Sequence, residues 1–395
     1  VIEIRDIPEA DAVRMRDFAG VVFHLSMDDG DQERDGWPLL RAERIGAYDG
    51  GTLVGQLGTL PMRLAVPGAL LDCSAVTFVG VLPTHRRRGI LTSMMDRMDA
   101  DAIAAGRPVA ALWASEGVIY GRYGFGLATR AIGLEVDSSR PLDLRTVPDD
   151  RPLRLVDTAS APDLLGPIHD RSLAVRPGGL VRDADWWTRG VLRATDRDAE
   201  GYTAPRIVHH PAGYAVYRAR GGTIRVVDLV ADTPQAEAAL WRFLASIDLS
   251  SRVVAPNRPV DDLLPHMAAD SEQVTVTHGF GALWLRLIDV PAALRARSWA
   301  TDDTFVLEVG DPRIPGNDGR WRLGASTTGA AACEATTERP DLTLTAADLA
   351  AVYLGGQDPV TLTRVGAVTE HTPGAAARLA TSLAVPLAPY INDDF

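Results

Sequence analysis

The stretch GVLPTHRRRGILTSMM, Gly80 to Met95, limits the choice of fold more than any other part of the chain. It overlaps a nearly continuous apolar run, Ala75 to Leu82, of the kind that forms a central strand buried on both faces. It leads into Leu91, Met94, Met95, Met98 and Ile103, spaced as on one face of a helix, with Gly106 placed to end it. Between strand and helix lie Arg86, Arg87, Arg88 and Gly89. A helix N-terminus exposes unpaired N–H groups and the positive end of the peptide dipole. With a glycine for close approach and arginines for charge-assisted bonds, such a turn suits a pyrophosphate. Neither GxGxxG nor GxxxxGK[ST] occurs, so position predicts a phosphate-bearing cofactor without saying which. A solvated basic turn is the plain alternative, and the sequence leaves open which arginine would serve.

This unit sits in the first of three segments, expected at residues 1–137, 138–289 and 290–395. A chain of 395 residues is long for one core. In the first segment, Gly50-Gly51 and Pro67-Gly68 mark turns between short apolar strands. After the helix come a buried strand, PVAALWAS, and a loop, EGVIYGRYGFG. The second segment repeats the order in weaker form. GYAVYRAR and TIRVVDLVAD read as strands, and TPQAEAALWRFLASI as a helix capped by Thr233 with Pro234 at its first position. The arginines and glycine are missing from this second junction, so it reads as a copy that kept the scaffold and lost the ligand loop. In the third segment Thr345 caps a helix, Asp348 completes a box-like start and Gly355 ends it. The fold class expected is therefore α/β throughout.

Composition excludes several functions. Hydrophobic residues make up 46% and charged residues 23%, an ordinary soluble balance. No run reaches the roughly 18 apolar residues of a membrane span, and the first residues lack the pattern of a signal peptide. Cys73 and Cys333 show no CxxC spacing, so neither a disulfide framework nor a thiolate zinc site is expected, and a reducing cytoplasm is. No metal is expected at the scattered histidines. The net charge of −12 argues against nucleic acid and favours cationic substrates.

The strand and turn VTFVGVLPTHRRRGIL resemble motif A of the Gcn5-related N-acetyltransferases (GNAT), [QR]-x-x-G-x-[GA], with Arg86, Gly89 and Leu91 in the three positions. Leu91 departs from the usual small residue. PTHRRRG, ASEGVIYGRYGFG, GYAVYR, VYLGG and a terminal Phe, in that order, are similar to the Eis (enhanced intracellular survival) branch of that family over essentially the whole chain. The resemblance implies two tandem GNAT-type domains, the second degenerate, then a sterol-carrier-protein-like domain. It implies a hexamer assembled from trimers, no membrane partner, and acetyl-coenzyme A as donor. Backbone groups at Phe78, Val79 and Val81 would hold the pantetheine arm. The loop Arg86, Arg87, Arg88, Gly89, Ile90, Leu91 and Thr92 would hold the pyrophosphate, with Ser115 also at the cofactor.

Acetyl transfer to an amine needs a base, because an alkyl ammonium has a pKa of roughly 10, and it needs help for a thiolate leaving group of pKa about 8.5. The resemblance puts the acid on Tyr120 in GVIYGRYG and leaves Tyr123 to packing. A tyrosine of pKa about 10 is the weaker acid, so Tyr120 is expected to hydrogen-bond the departing sulfur or to have a lowered pKa. The base implied is the α-carboxylate of Phe395, raised by burial and by Asp393 and Asp394. Asp28 or Asp29, Trp37 and Asp394 would face a cationic acceptor such as an aminoglycoside, Trp37 through cation–π contact. A protein lysine is the rival acceptor, and a lipid-binding carrier the rival from another class.

Overall fold

The computed structural model describes residues 1–24, 36–195 and 199–395. Gly50 and Gly51 both take positive φ (54° and 86°), as a two-residue hairpin turn requires. They join β2 (Glu43–Asp49) to β3 (Thr52–Val66). Before them β1 (Ile2–Asp6) pairs antiparallel with β2. Pro67-Gly68 then turns β3 into β4 (Ala69–Val81), which runs parallel to β5 (Val109–Trp113). The crossover is the helix Ile90–Ala104, with Met94, Met95 and Met98 buried. Ile103, expected on the same face, is 53% exposed. Ala102 lies one helical turn beyond Met98 and takes the buried position instead. Gly106, at φ 66°, follows the helix end as expected.

Two short elements complete this sheet. β6 (Gly126–Leu127) comes soon after β5 in sequence, but β14 (Leu283–Leu287) comes from far away and lies between them. The second sheet is built from β7 (Arg130–Asp137), β8 (Arg154–Val156), β9 (Arg206–His210), β10 (Gly213–Arg220), β11 (Thr223–Ala231), β12 (Arg252–Pro259) and β13 (Val274–Gly281), in the order β13-β7-β12-β11-β10-β9-β8. Here the hairpin β10–β11, the helix Pro234–Ala245 and the parallel strand β12 repeat the plan of β3, β4, helix and β5. The Thr233 hydroxyl accepts from the Ala236 N–H at the start of that helix. Trp186, Trp187 and Trp241 are all buried, consistent with core roles. The third sheet comprises β15 (Asp303–Gly310), β16 (Gly319–Ala325), β17 (Ala332–Ala335), β18 (Leu342–Thr345) and β19 (Thr369–Glu370). Its helix Ala346–Tyr353 opens with the expected capping box between Thr345 and Asp348.

Contacts divide the chain into two compact units: residues 1–129, 282–386 and 394–395 form one, and residues 130–281 and 387–393 the other. The segment boundaries expected after residues 137 and 289 therefore differ from where the sheets divide. β7 pairs with β12 and β13 in the second sheet, and β14 pairs with β5 in the first. An alternating apolar pattern announces a strand but not the sheet that takes it. Among the described residues, no helix is long and apolar enough to cross a membrane.

Arg286 of β14 ties the first unit together. Its fully buried guanidinium donates from Nε to Asp99 Oδ1 (3.0 Å) and from Nη2 to Asp99 Oδ2 (3.1 Å) and Asp311 Oδ1 (3.3 Å). Burial pushes the Asp99 carboxyl up to about 6, although Arg286 opposes that rise. Gly124, at φ 79°, lies directly against this side chain: a Cβ there would stand 1.6 Å from Arg286 Nη1. Arg286→Met would leave two buried carboxylates without their cation, and a loss of roughly 3–5 kcal/mol is expected in urea denaturation. Gly124→Ala should cost a similar amount, by strain and by collision. A Gly124→Ala chain as stable as the native one would overturn this packing account.

Candidate active site

The strand that leads into the basic turn is irregular where it matters. Gln56 and Gly58 of β3 face Gly80 and Thr77 of β4, so β4 carries one extra residue around Phe78-Val79. Phe78 has φ 52°, uncommon for a non-glycine residue. Such a bulge bends its strand and disrupts the hydrogen-bond ladder locally. On its other edge β4 pairs with β5 only from Cys73 to Ala75. Beyond Ala75 the two strands part, and backbone N–H and C=O groups of β4 are left to meet a ligand that carries amides. Phe78, Val79 and Val81 are half-buried along this parted edge. A continuous apolar run gave no sign of the bulge.

The turn that follows is open. Arg87 has φ 62° and Gly89 φ 78°. Gly89 is the N-cap of the helix Ile90–Ala104, and no side chain caps that end. Apart from its own chain neighbours, no described atom lies within 4 Å of where a Gly89 Cβ would be. Arg86, Arg87 and Arg88 are exposed, Ile90 is buried, and Leu91 and Thr92 are half-buried. Uncapped N–H groups, a positive helix end and three arginines fit a pyrophosphate. The residues present therefore fit a coenzyme A-type ligand, with amides at the parted strand and phosphates at the turn. Ser115 is exposed just beyond β5.

The segment read as a loop, EGVIYGRYGFG, is instead a helical turn, Gly117–Tyr120, followed by a 3-10 turn, Gly121–Tyr123. Two of its later glycines serve the protein's own packing. Gly124 meets Arg286, and a Cβ on Gly126 would stand 1.9 Å from the Ala347 carbonyl oxygen. Tyr120 is buried, with its ring edge-on to Phe125 at 6.2 Å. Burial pushes its phenol up to about 12, and nearby Glu116 and Tyr123 add to the rise. The expected alternative of a lowered pKa is thereby corrected: a phenolate would be poorly solvated here, so the group stays a neutral donor. Tyr123 packs as expected. It is buried, its hydroxyl lies 3.3 Å from Thr92 Oγ1, and the Arg313 guanidinium lies 4.8 Å from its ring centroid.

The acceptor-side residues fare differently. Asp28 and Asp29 lie outside the described residues. Trp37 is 6% exposed, and the Arg41 guanidinium lies 5.9 Å from its ring centroid. Its expected role as an open cation–π surface is corrected, because packing covers the ring. Phe395 is half-buried and Asp394 is exposed. Asp393 is buried, where its carboxylate accepts from Arg182 Nε and Trp186 Nε1, both at 2.8 Å. Tyr120, the basic turn and residues 394–395 belong to one unit. Among the described residues, no group of three or more His, Cys, Asp or Glu side chains could hold a metal ion.

Comparison with known proteins adds to this geometry. Residues 3–128 match the family described as "Acetyltransferase (GNAT) domain", and residues 178–287 match a second family of the same description. Residues 290–392 match "Sterol carrier protein domain". A Streptomyces avermitilis protein named only as an N-acetyltransferase is 37% identical, with 96% of this chain and 95% of that protein covered. N-acetyltransferase Eis of Mycobacterium bovis is 35% identical, with 81% and 80% covered. The crystal structure of Eis1 from Mycobacterium abscessus superposes with a TM-score of 0.87 at 32% identity, and all of both chains is covered.

The buried phenol gives a direct prediction. A group whose folded pKa is raised keeps its proton until the pH passes the raised value. The difference in phenolate absorbance between the native chain and Tyr120→Phe should therefore stay flat through pH 10 and rise only as the pH nears about 12. A rise near pH 10 would show that Tyr120 is solvated as in a free peptide.

Proposed function

Because the chain belongs to the Eis family of GNAT enzymes and is an N-acetyltransferase, we propose that it acetylates amines of cationic small molecules, aminoglycosides above all. GNAT domains use acetyl-coenzyme A, whose thioester supplies the activated acyl group. The parted edge of β4 at Phe78, Val79 and Val81 would bind the pantetheine amides, and the turn from Arg86 to Thr92 the pyrophosphate. The acceptor arrives as an ammonium ion, and the α-carboxylate of Phe395 would take its proton. Tyr120 would donate a hydrogen bond to the departing sulfur. With the phenol near 12 and a thiol near 8.5, complete proton transfer would be uphill by roughly 5 kcal/mol. Donation without transfer is therefore the role that suits Tyr120.

The observation that carries this reading is the bulged, parted β4 running into an uncapped helix end, with a buried neutral tyrosine in the same unit. A cationic acceptor is supported by the net charge of −12 and by exposed Asp394. From the family likeness, Asp28 or Asp29 would also face the acceptor. From the family we also expect a hexamer of two trimers, which sedimentation would read.

The test is thiol release from acetyl-coenzyme A with a panel of aminoglycosides. The native chain should turn over, and a chain extended by a few residues after Phe395 should lose roughly hundredfold or more, as expected for removal of a general base. Equal turnover would place the base elsewhere. If neither chain turns over, the acceptor class is wrong, and protein lysines are the next substrates. Tyr120→Phe should lower kcat roughly tenfold to hundredfold and leave the KM for acetyl-coenzyme A unchanged.

A further inference from the structure

The second sheet keeps the geometry of a cofactor slot. β11 and β12 pair only from Thr223–Arg225 to Arg252–Val254 and then part, as β4 and β5 part beyond Ala75. β11 also keeps a bulge: Val216 and Tyr217 of β10 face Asp228 and Val226, so Val227 is the extra residue. The basic turn is absent, yet the slot is filled. Asn392 Nδ2 donates to the carbonyl of that bulged Val227 at 2.9 Å and to Asp228 at 3.2 Å. On the other side Asn257 Nδ2 donates to the Ile391 carbonyl at 3.1 Å, and the Tyr390 hydroxyl donates to the Asn257 carbonyl at 2.8 Å. Residues 390–392 thus bond to β11 on one edge and β12 on the other, and Ile391 is fully buried between them.

Both ends of this segment are fastened. Upstream, the Asp261 carboxylate accepts from the Ala388 N–H (2.8 Å), and Arg176 donates to the Ala388 carbonyl (2.6 Å) and to Asp261 (2.6 Å). The Tyr390 N–H donates to the Pro177 carbonyl at 2.9 Å. Downstream, Arg182 bridges Asp393 (2.8 Å) and Asp228 (2.6 Å), all three with side chains no more than 4% exposed. Trp186 Nε1 donates to Asp393, and the Tyr214 hydroxyl to Asp228. Chain ends ordinarily fray unless they are tied down. The space left beside the segment is about 260 Å³, below the roughly 300–1,000 Å³ of pockets for drug-sized ligands.

We propose that residues 387–393 are a built-in ligand of the second GNAT-like domain, seated in its former cofactor slot, and that the Arg182–Asp393 pair is the anchor that positions the terminal carboxylate. Phe395 is two residues beyond that anchor, so at roughly 3.5 Å per residue little slack remains for the chain end. The positioning role rests on the terminal carboxylate acting as base; the seating of the segment does not. Loss of Asp393 leaves Arg182 paired with Asp228, so the anchor can be released without stranding a buried cation.

The experiment uses full-length Asp393→Asn, with Asn392→Ala as a second variant that removes no charged side chain and costs Asp228 only one hydrogen bond. Two readouts are taken: hydrogen exchange over residues 387–395 together with release of Phe395 by carboxypeptidase, and kcat against the KM for acetyl-coenzyme A. Both variants should exchange and lose Phe395 at least about tenfold faster, since the segment opens locally. Their kcat should fall about tenfold, because a loosely held base is in place less often, with the KM for acetyl-coenzyme A unmoved. Unchanged protection in both variants would overturn the proposal. Lost protection with unchanged kcat would overturn the positioning role and leave the seating in force. The chain extended after Phe395 then separates the causes: full activity there means that the base reading itself has failed, and a dead extended chain means that Asp393 is not the anchor that matters.

Discussion

Arg286 is the charge on which the first unit is organised. A guanidinium with no exposure to water is tolerable only if its partners are close and well aligned, because desolvation is expensive and a lone buried ion is more expensive still. Asp99 brings the helix behind the basic turn to it, and Asp311 brings the loop after β15. The turn that follows Tyr123 must then pass so near that only glycine fits. One interaction thus joins the helix after the basic turn, the tyrosine segment and the third domain. A sterol-carrier-like domain is here a structural neighbour of the tyrosine segment through this ion pair and through the contact of Gly126 with Ala347.

The second constraint is strain held at the bulged strand and the basic turn. Phe78 and Arg87 both take positive φ without being glycine, at a cost on the order of 1–3 kcal/mol each. Phe78 is held by packing against the cluster of Ile7, Met15, Leu39 and Tyr48. In return, backbone groups point out of the ladder before any ligand arrives, so little is lost in ordering them on binding. The second sheet retains the bulge and the parting strands but satisfies the exposed groups from within the chain. A site that one domain leaves open for a ligand is closed in its copy by the chain's own last residues.

Much of the local structure could be read directly. The hairpin glycines, the Thr233 and Thr345 caps, the methionine stripe and the duplicated strand–strand–helix order depend on neighbours close in sequence, where rotation about a few bonds decides the outcome. Of the candidate site, the basic turn at a helix start was legible at Arg86 to Thr92, because a motif carries it. Trp37 misled because an indole next to acidic residues looks the same in sequence whether it faces solvent or core. The later glycines of GVIYGRYGFG were silent for a related reason: a residue without a side chain does not say what approaches it.

By itself, then, the sequence determined the α/β class, the repeat, the basic turn at a helix start and the family likeness, because each is written in spacings of a few residues. Only the tertiary structure decided that β14 joins the first sheet, that Arg286 gathers Asp99, Asp311 and Gly124, that Tyr120 is buried enough to stay neutral, and that residues 387–393 fill the second slot. These outcomes depend largely on contacts between residues distant in sequence, such as Arg286 with Asp99 and Asn392 with Val227. Their energies come from desolvation and packing, which no local pattern encodes.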